Sequence, residues 1–361
     1  MQYALLCGFT TAIWYELVNF GPRTFNEFVA GNLFLPAIYL GSFKQHEGPE
    51  SKWRLLLIGV LLGLTISLRM QFGLAVLLVG IWIMSRNWKT RALPIATGIL
   101  AVVLIFGLAD AISWSYPFHS YYAYFSTNVL HHQADRWGTE PWYSYFVKLL
   151  VHAGPMAILA ILGMRRAPIL GWICLAIMLP HLLIGHKEYR FIYPVLPLLL
   201  TLASIGLIDT IQFVERKAAI NLSRRVELVI AASFVLICSL GLASQYPDWR
   251  KSGGELRAFN RLSVDQNACG VAIRDVDRNH VGGYTHLNRP IPIFVFVSFS
   301  DAYPFVGTFN RVVAPESTAA PIQGYTPASC RDGVCVYQRE GTCQAGGEEN
   351  EINEFMKLRG Y

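Results

Sequence analysis

Charged residues are scarce in this sequence. Only 15% of its 361 residues are Asp, Glu, Lys or Arg, against 53% hydrophobic, where a soluble domain carries about 25% charged residues. That deficit excludes a water-soluble protein over most of the length. The net charge of +6 is no argument for nucleic acid as a partner, because the basic residues cluster at the ends of apolar runs. There is no Walker or GxGxxG motif, no internal repeat and no CxxC pair. Met1 opens inside apolar sequence with no basic segment before it, so no signal peptide is evident.

What the sequence has instead is long apolar runs. "ALPIATGILAVVLIFGLA" and "VELVIAASFVLICSLGLAS" approach the ~20 residues needed to cross a bilayer. Apolar segments fall near 1–18, 28–43, 55–84, 92–112, 145–163, 168–185, 191–212 and 226–245. They predict an all-α polytopic membrane domain over 1–245, with about seven to nine spans. Residues 246–361 are mixed polar sequence and read as a water-exposed domain. The 55–84 run is interrupted by Arg69 and Gln71 and reads as two half-helices in a re-entrant hairpin, tolerated where it lines a protein cavity, or as two short spans; the hairpin is preferred because it keeps the basic clusters on one face. With that hairpin, the basic clusters at 44–54, 86–91, 165–166 and 216–225 share one face, and short basic loops face the cytoplasm. The loops at 19–27, 113–144 and 186–190 and the C-terminal domain then lie outside. The glycosylation pattern at Asn221 falls on the cytoplasmic side. No such pattern lies in the outer regions, which favours a bacterial over an endoplasmic-reticulum protein.

In the C-terminal domain, "GVAIRDV", "PIFVFVSF", "RVVA" and "GVCVYQ" read as strands. "EENEINEFMKLRG" reads as a final helix with acids first and bases last. The prediction is a small extracytoplasmic α+β domain. Its Cys269, Cys330, Cys335 and Cys343 favour disulfides over zinc, given an exported compartment. Asp332-Gly333 between two of them is a hairpin turn signal.

Two stretches carry polar chemistry on the outer face. The loop "DAISWSYPFHSYYAYFSTNVLHHQADRWGTEPWYSYF" is dense in aromatic rings. An interfacial belt accounts for many of them, but not for the Asp, His, Asn and Glu residues among them. Rings interleaved with hydrogen-bonding groups suit a sugar or a lipid headgroup. The stretch "HKEYRFIYPVLP", from His186, sets charges directly before an apolar run. Lys187 and Arg190 can meet a phosphate there, or they can simply snorkel at a helix end. His131, His132, His181 and His186 lack metal-ligand spacing.

The second stretch resembles the HKExRFxxPxxP signature of the glycosyltransferase family 22 mannosyltransferases at His186, Lys187, Glu188, Arg190, Phe191, Pro194 and Pro197. The outer loop is similar to that family's N…YGxxPWxWY segment at Asn128, Gly138, Pro141, Trp142 and Tyr145, with Asp110 matching the acid that opens it. "GPRTFNEFVAG" resembles its RTxSNxxE stretch at Arg23, Thr24 and Phe25, and "GGYTHLNRPIPIF" its GGYTYLHRxxPxY segment. The resemblance implies a GT-C fold; no metal site or cofactor is expected, the former on ligand spacing. It implies a polyprenyl-phosphate-linked sugar donor, usually dolichyl-phosphate mannose, and mannose transfer with inversion to a lipid-linked glycan acceptor. The active site would face the periplasm or the lumen, in a bacterial inner membrane or the endoplasmic reticulum. Lys187, Arg190 and His186 would hold the donor phosphate, and Glu188 and Asp110 would orient them and the loop. Asn128, Trp137, Trp142 and Tyr145 would contact sugar or acceptor. The family's first-loop catalytic acid has no counterpart in the chain, which reads as N-terminally truncated, and no catalytic residue is assigned. A non-catalytic relative that binds polyprenyl phosphate, or a lipid or glycan transporter, are the competing classes.

The orientation is testable. With single cysteines at 133 and 166 and an impermeant thiol reagent applied from outside, Gln133→Cys should react and Arg166→Cys should not. Equal labelling of both contradicts the topology.

Overall fold

The computed structural model describes the chain except residues 1, 24, 44–49, 246–252, 275–285, 297–301, 319–322, 353, 355–361 and the side chains of Arg136 and Trp137. Thr24, Lys44, the GGYT segment and most of the helix expected after 348 therefore lie outside the described residues. The chain divides into two compact units, Met1–Tyr246 and Pro247–Tyr361.

The first unit is helical: α1 (Gln2–Ile13), α2 (Tyr15–Phe20), α3 (Asn26–Ser42), α4 (Lys52–Leu68), α5 (Gly73–Met84), α6 (Trp88–Ser113), α7 (His119–Phe125), α8 (Ser144–Ala153), α9 (Pro155–Gly163), α10 (Pro168–Leu182), α11 (Val195–Ala218) and α12 (Arg224–Gln245). Among the described residues, α6, α11 and α12 are long and apolar enough to cross a membrane, and the α8–α9 pair, bent by 105°, makes a fourth if counted as one span. The other apolar runs are cut into shorter helices, so length alone supports fewer spans than the sequence suggested. The cuts have local causes. Trp14 is extended between α1 and α2, and Gly154, at φ 54, precedes Pro155, whose ring cannot continue α8. α11 is the buried centre, with 67% of its apolar window inside the protein against 22% for α6 and α12.

Residues 52–84 form a turning pair. Arg91 bonds the Ile83 carbonyl at the end of α5 (3.0 Å) and Glu50, just before α4 (2.7 Å). The start of α4 therefore meets the end of α5, and Arg69 lies at the far turn. Arg86 ties the same end to the Gly41 carbonyl of α3 (2.9 Å). The basic groups of 50–54 and 86–91 thus gather at the end of the bundle away from Arg69.

α9 lies against α11 at backbone distance. A Cβ on Gly206 would overlap the Leu159 carbonyl oxygen, and one on Gly163 that of Leu202. Small residues at such crossings let membrane helices pack closely.

The second unit carries α13 (Gly253–Ser263) and a five-stranded sheet of order β2-β1-β3-β5-β4. The strands are β1 (Val271–Arg274), β2 (Ile293–Phe296), β3 (Arg311–Pro315), β4 (Thr326–Arg331) and β5 (Val334–Gln338). β1 pairs parallel with β2 and β3, whereas β5 is antiparallel to β3 and β4. Phe259 and Leu262 of α13 pack with Val271, Val313 and Val336, and Phe294, Phe296, Phe309 and Tyr325 form a second cluster. Asp332 and Gly333 both take positive φ at the β4–β5 turn, as a two-residue hairpin requires. Cys269 pairs with Cys343 and Cys330 with Cys335.

Gly206→Ala should destabilise the protein by ~1–3 kcal/mol, the usual range for overpacking. Gly241→Ala, where a Cβ meets nothing within 4 Å, should be neutral or stabilising through helix propensity. Thermal melting of both in detergent checks the pair, and equal melting temperatures would refute the backbone contact.

Candidate functional site

The polar stretch before α11 folds as an extended segment and one tight helical turn, Tyr189–Ile192, closed by Tyr193, with Pro194 at the N-cap of α11. Pro197 sits in the first turn of α11, where its missing N–H has no partner to lose. The Glu188 carboxylate is held from two sides. His186 Nε2 lies 3.0 Å from it, and Arg190 donates through Nη2 at 3.0 Å, with its Nε in ion-pair range at 2.7 Å. The other ring nitrogen of His186 faces the Gly138 carbonyl at 2.9 Å. Burial alone would push the Glu188 carboxyl up. The His186 hydrogen bond and the Arg190 charge outweigh burial and hold it below its ordinary value.

The outer loop docks on this segment. The Glu140 N–H donates to the Gly185 carbonyl (3.0 Å), and Lys148 bridges the Glu140 carboxylate (2.7 Å) and the Lys187 carbonyl (3.1 Å). Gly138, at φ 99, takes a conformation that L side chains rarely adopt. Asp110 accepts from the backbone (2.9 Å) and hydroxyl (2.6 Å) of Ser120, which anchors the start of α7.

Between loop, segment and bundle lies a cavity of about 230 Å³ lined by Glu27, Arg69, Gln71, Tyr124, Asn128, Ala134, His181, Ile184, His186, Glu188, Arg190 and Phe191. Arg69 and Glu27 pair at 2.9 Å. Two guanidinium groups approach the Phe191 ring, Arg69 at 4.8 Å and Arg190 at 5.6 Å from its centroid. Gln71 donates to the Tyr124 hydroxyl (2.6 Å) and Asn128 to the Tyr124 carbonyl (3.1 Å). His181 is 2% exposed, bonds the Ile177 carbonyl through Nδ1, and leaves Nε2 without a partner.

Of the residues singled out from sequence, the cavity brings together His186, Glu188, Arg190 and Asn128. It does not include Lys187. That side chain is 4% exposed, and its ammonium donates to the Leu182 (3.3 Å) and Ile184 carbonyls. Lys187 therefore satisfies carbonyls left open at the end of α10, and burial lowers its pKa from the ordinary lysine value. Asp110 organises the loop and does not line the cavity. Trp142 is 64% exposed, Tyr145 is fully buried in the core, and the Trp137 side chain lies outside the described residues. Sequence reading missed Glu27, Arg69, Gln71, Tyr124, His181 and Phe191 as cavity residues. Arg69 and Gln71 were visible as interruptions of an apolar run, and a charge in such a run marks function by default.

Behind the segment sits a second buried acid. Glu16, 1% exposed, meets His152 Nδ1 (3.1 Å), Trp14 Nε1 (3.3 Å) and the Tyr189 hydroxyl (3.3 Å). The His152 and Tyr189 rings stack at 4.3 Å. Among the described residues, the grouped metal-capable side chains are Glu316, Cys330 and Cys335, and both cysteines are in a disulfide.

A bundle of apolar helices enclosing a polar cavity at one end defines a membrane protein, and its fold is shared with GT-C glycosyltransferases. ArnT from Cupriavidus metallidurans, solved bound to undecaprenyl phosphate, superposes with a TM-score of 0.60 over 96% of this chain and 80% of its own, at 12% identity. Its apo form gives 0.55 over 93% and 82%, at 14% identity. The model of the Alg9-like mannosyltransferase family matches residues 2–267, and the chain belongs to that family. Alpha-1,2-mannosyltransferase ALG9 of Saccharomyces cerevisiae is 27% identical over 40% of this chain, and GPI alpha-1,2-mannosyltransferase 3 of Danio rerio 35% identical over 22%. These matches cover 26% and 16% of the relatives' own lengths.

The lowered Glu188 carboxyl has a pH consequence. Its charged form stabilises the fold above the ordinary carboxyl range, near pH 4.3, and that contribution is lost as pH falls through the lowered folded value. The melting-temperature gap between wild type and Glu188→Gln should therefore be full at neutral pH and shrink below about pH 4. A gap constant from neutral to acid pH contradicts the assignment.

Proposed function

We propose that this chain carries the donor site of a membrane mannosyltransferase. It moves mannose, with inversion, from a polyprenyl-phosphate donor to a lipid-linked glycan acceptor on the periplasmic or luminal face of its membrane. The observation that carries the reading is the position of Arg190. It lines the polar cavity and also a small apolar crevice made with Phe20, Tyr189, Ile192, Tyr193 and Leu196. A polyprenyl-phosphate sugar has its phosphate between a polar head and an apolar chain, so its recognition needs a cation at such a junction. Arginine gives a bidentate contact to phosphate, and a fixed cation stabilises a departing phosphate. The undecaprenyl phosphate held by the ArnT structure of the same fold supports a lipid phosphate as ligand. Glu188 can keep its His186 bond while releasing Arg190 to the ligand. Glu27 is committed to Arg69 and Glu188 to His186, so neither is assigned as the base for the acceptor hydroxyl.

Arg190→Gln should weaken binding of a polyprenyl phosphate about ten- to a hundredfold, since charge-assisted hydrogen bonds are worth ~1.5–3 kcal/mol. Lys187→Gln should leave that affinity almost unchanged and cost ~1–3 kcal/mol of stability, because α10 loses the donor at its end. Lipid binding and melting of the purified variants check both. Unchanged affinity in Arg190→Gln rejects the donor site, and equal losses in the two variants return Lys187 to it. Lipid binding with no mannosyl transfer to any lipid-linked glycan would favour a binding-only relative.

A further inference from the structure

The two ends of the cavity differ in chemistry. At one end, Arg190 has a 36% exposed side chain, and its carboxylate partner Glu188 is shared with His186. At the other, Arg69 and Glu27 are only 10% and 6% exposed. An arginine neutralised in this way is a poor place for a phosphate. The carboxylate beside it repels an anion, and little solvent is present to screen the repulsion. What the buried pair offers is a donor next to an acceptor, which is what a hydroxyl group uses.

The neighbouring side chains extend that pattern. Gln71 and Asn128 spend their amide nitrogens on Tyr124, which leaves each its carbonyl oxygen as an acceptor. Four buried polar atoms of cavity-lining residues have no hydrogen-bond partner: His181 Nε2, Arg69 Nε, Arg69 Nη2, which only ion-pairs with Glu27, and Arg190 Nε. Buried polar atoms are nearly always bonded, so the three on His181 and Arg69 mark where hydroxyls of a ligand belong, and Arg190 Nε marks the phosphate end. The rings of Tyr124 and Phe191 supply flat apolar faces for the C–H side of a pyranose, in the usual mix of a binding pocket.

We infer that the Arg69 end of the cavity is a hexose-reading subsite, in which Arg69, Glu27, Gln71, Asn128 and His181 bond the hydroxyls of the donor sugar while Arg190 holds its phosphate. This rests on the donor assignment proposed above. It divides one cavity into a phosphate end, indifferent to the sugar, and a sugar end, indifferent to the bare lipid phosphate.

The test uses the full chain in detergent and two probes, undecaprenyl phosphate and undecaprenyl-phosphate mannose. Gln71→Leu and His181→Phe are compared with wild type, because neither strands a buried charge as Arg69→Ala would strand Glu27. Wild type should bind the mannosyl lipid at least about tenfold more tightly than the bare phosphate. Both variants should lose most of that margin, with affinity for undecaprenyl phosphate kept within about twofold. Melting curves identify a variant that fails to fold, and the other variant then carries the comparison. A wild type with no margin, or variants that retain it, overturns the sugar subsite and leaves the donor reading standing. Loss of bare-phosphate affinity in the variants moves the phosphate to the Arg69 end and overturns the division. Wild type that binds neither lipid overturns the donor reading itself.

Discussion

A guanidinium in apolar surroundings has to be paired, and the Arg69–Glu27 bond is the constraint around which the membrane unit is arranged. Charge at the centre of a bilayer costs about 2.5–3.5 kcal/mol on insertion scales. A buried ion pair adds little net stability, but removing one partner is costly. Its effect is geometric. The first turn of α3 is held to the turn between α4 and α5, and Arg69 is held over Phe191. The wall of the cavity follows from that placement.

The lid of the cavity depends on the loop, which is fastened at several points. Asp110 holds the beginning of α7, and Tyr121 bonds the Ser67 carbonyl (3.0 Å) at the end of α4. Gln71 holds Tyr124 (2.6 Å), and Gly138 meets His186 (2.9 Å). Each fastening joins the loop to a polar residue at the same end of the bundle. Many rings that make the loop conspicuous in sequence are exposed, Trp114, Tyr116, Tyr122, Trp142 and Tyr143 among them. The cavity takes from the loop Tyr124, Asn128 and Ala134.

Glu16 supports the site from the other side. Its carboxylate joins α2, α8 and the turn that carries Arg190 through His152 and Tyr189. Ser239 of α12 bonds the Tyr15 N–H (3.0 Å) and the Ile13 carbonyl (3.1 Å), which satisfies the backbone where α1 and α2 part. A polar group buried in an apolar bundle is tolerated only when bonded. The segment at 186–190 is thus gripped by the loop on one side and by the Glu16 cluster on the other.

The sequence by itself determined the class of this protein. Apolar runs with basic ends require a membrane domain, short apolar stretches among polar sequence with four cysteines point to a small sheet-bearing unit, and the stretch from His186 to Pro197 names the family. The turning pair was legible because Arg69 and Gln71 cannot sit in a plain apolar span. The use made of each polar residue was not legible. Lys187 and Arg190 look equivalent as letters, yet one is bonded to the end of α10 and the other opens into the cavity. An extended segment and one tight turn, with no helical or strand period, set where each side chain emerges, and only the packed neighbours fix them. Glu27, Arg69 and His181 belong to α3, the α4–α5 break and α10. No local pattern joins them, because residues so far apart in the chain become neighbours only when the helices pack and their charges must find partners.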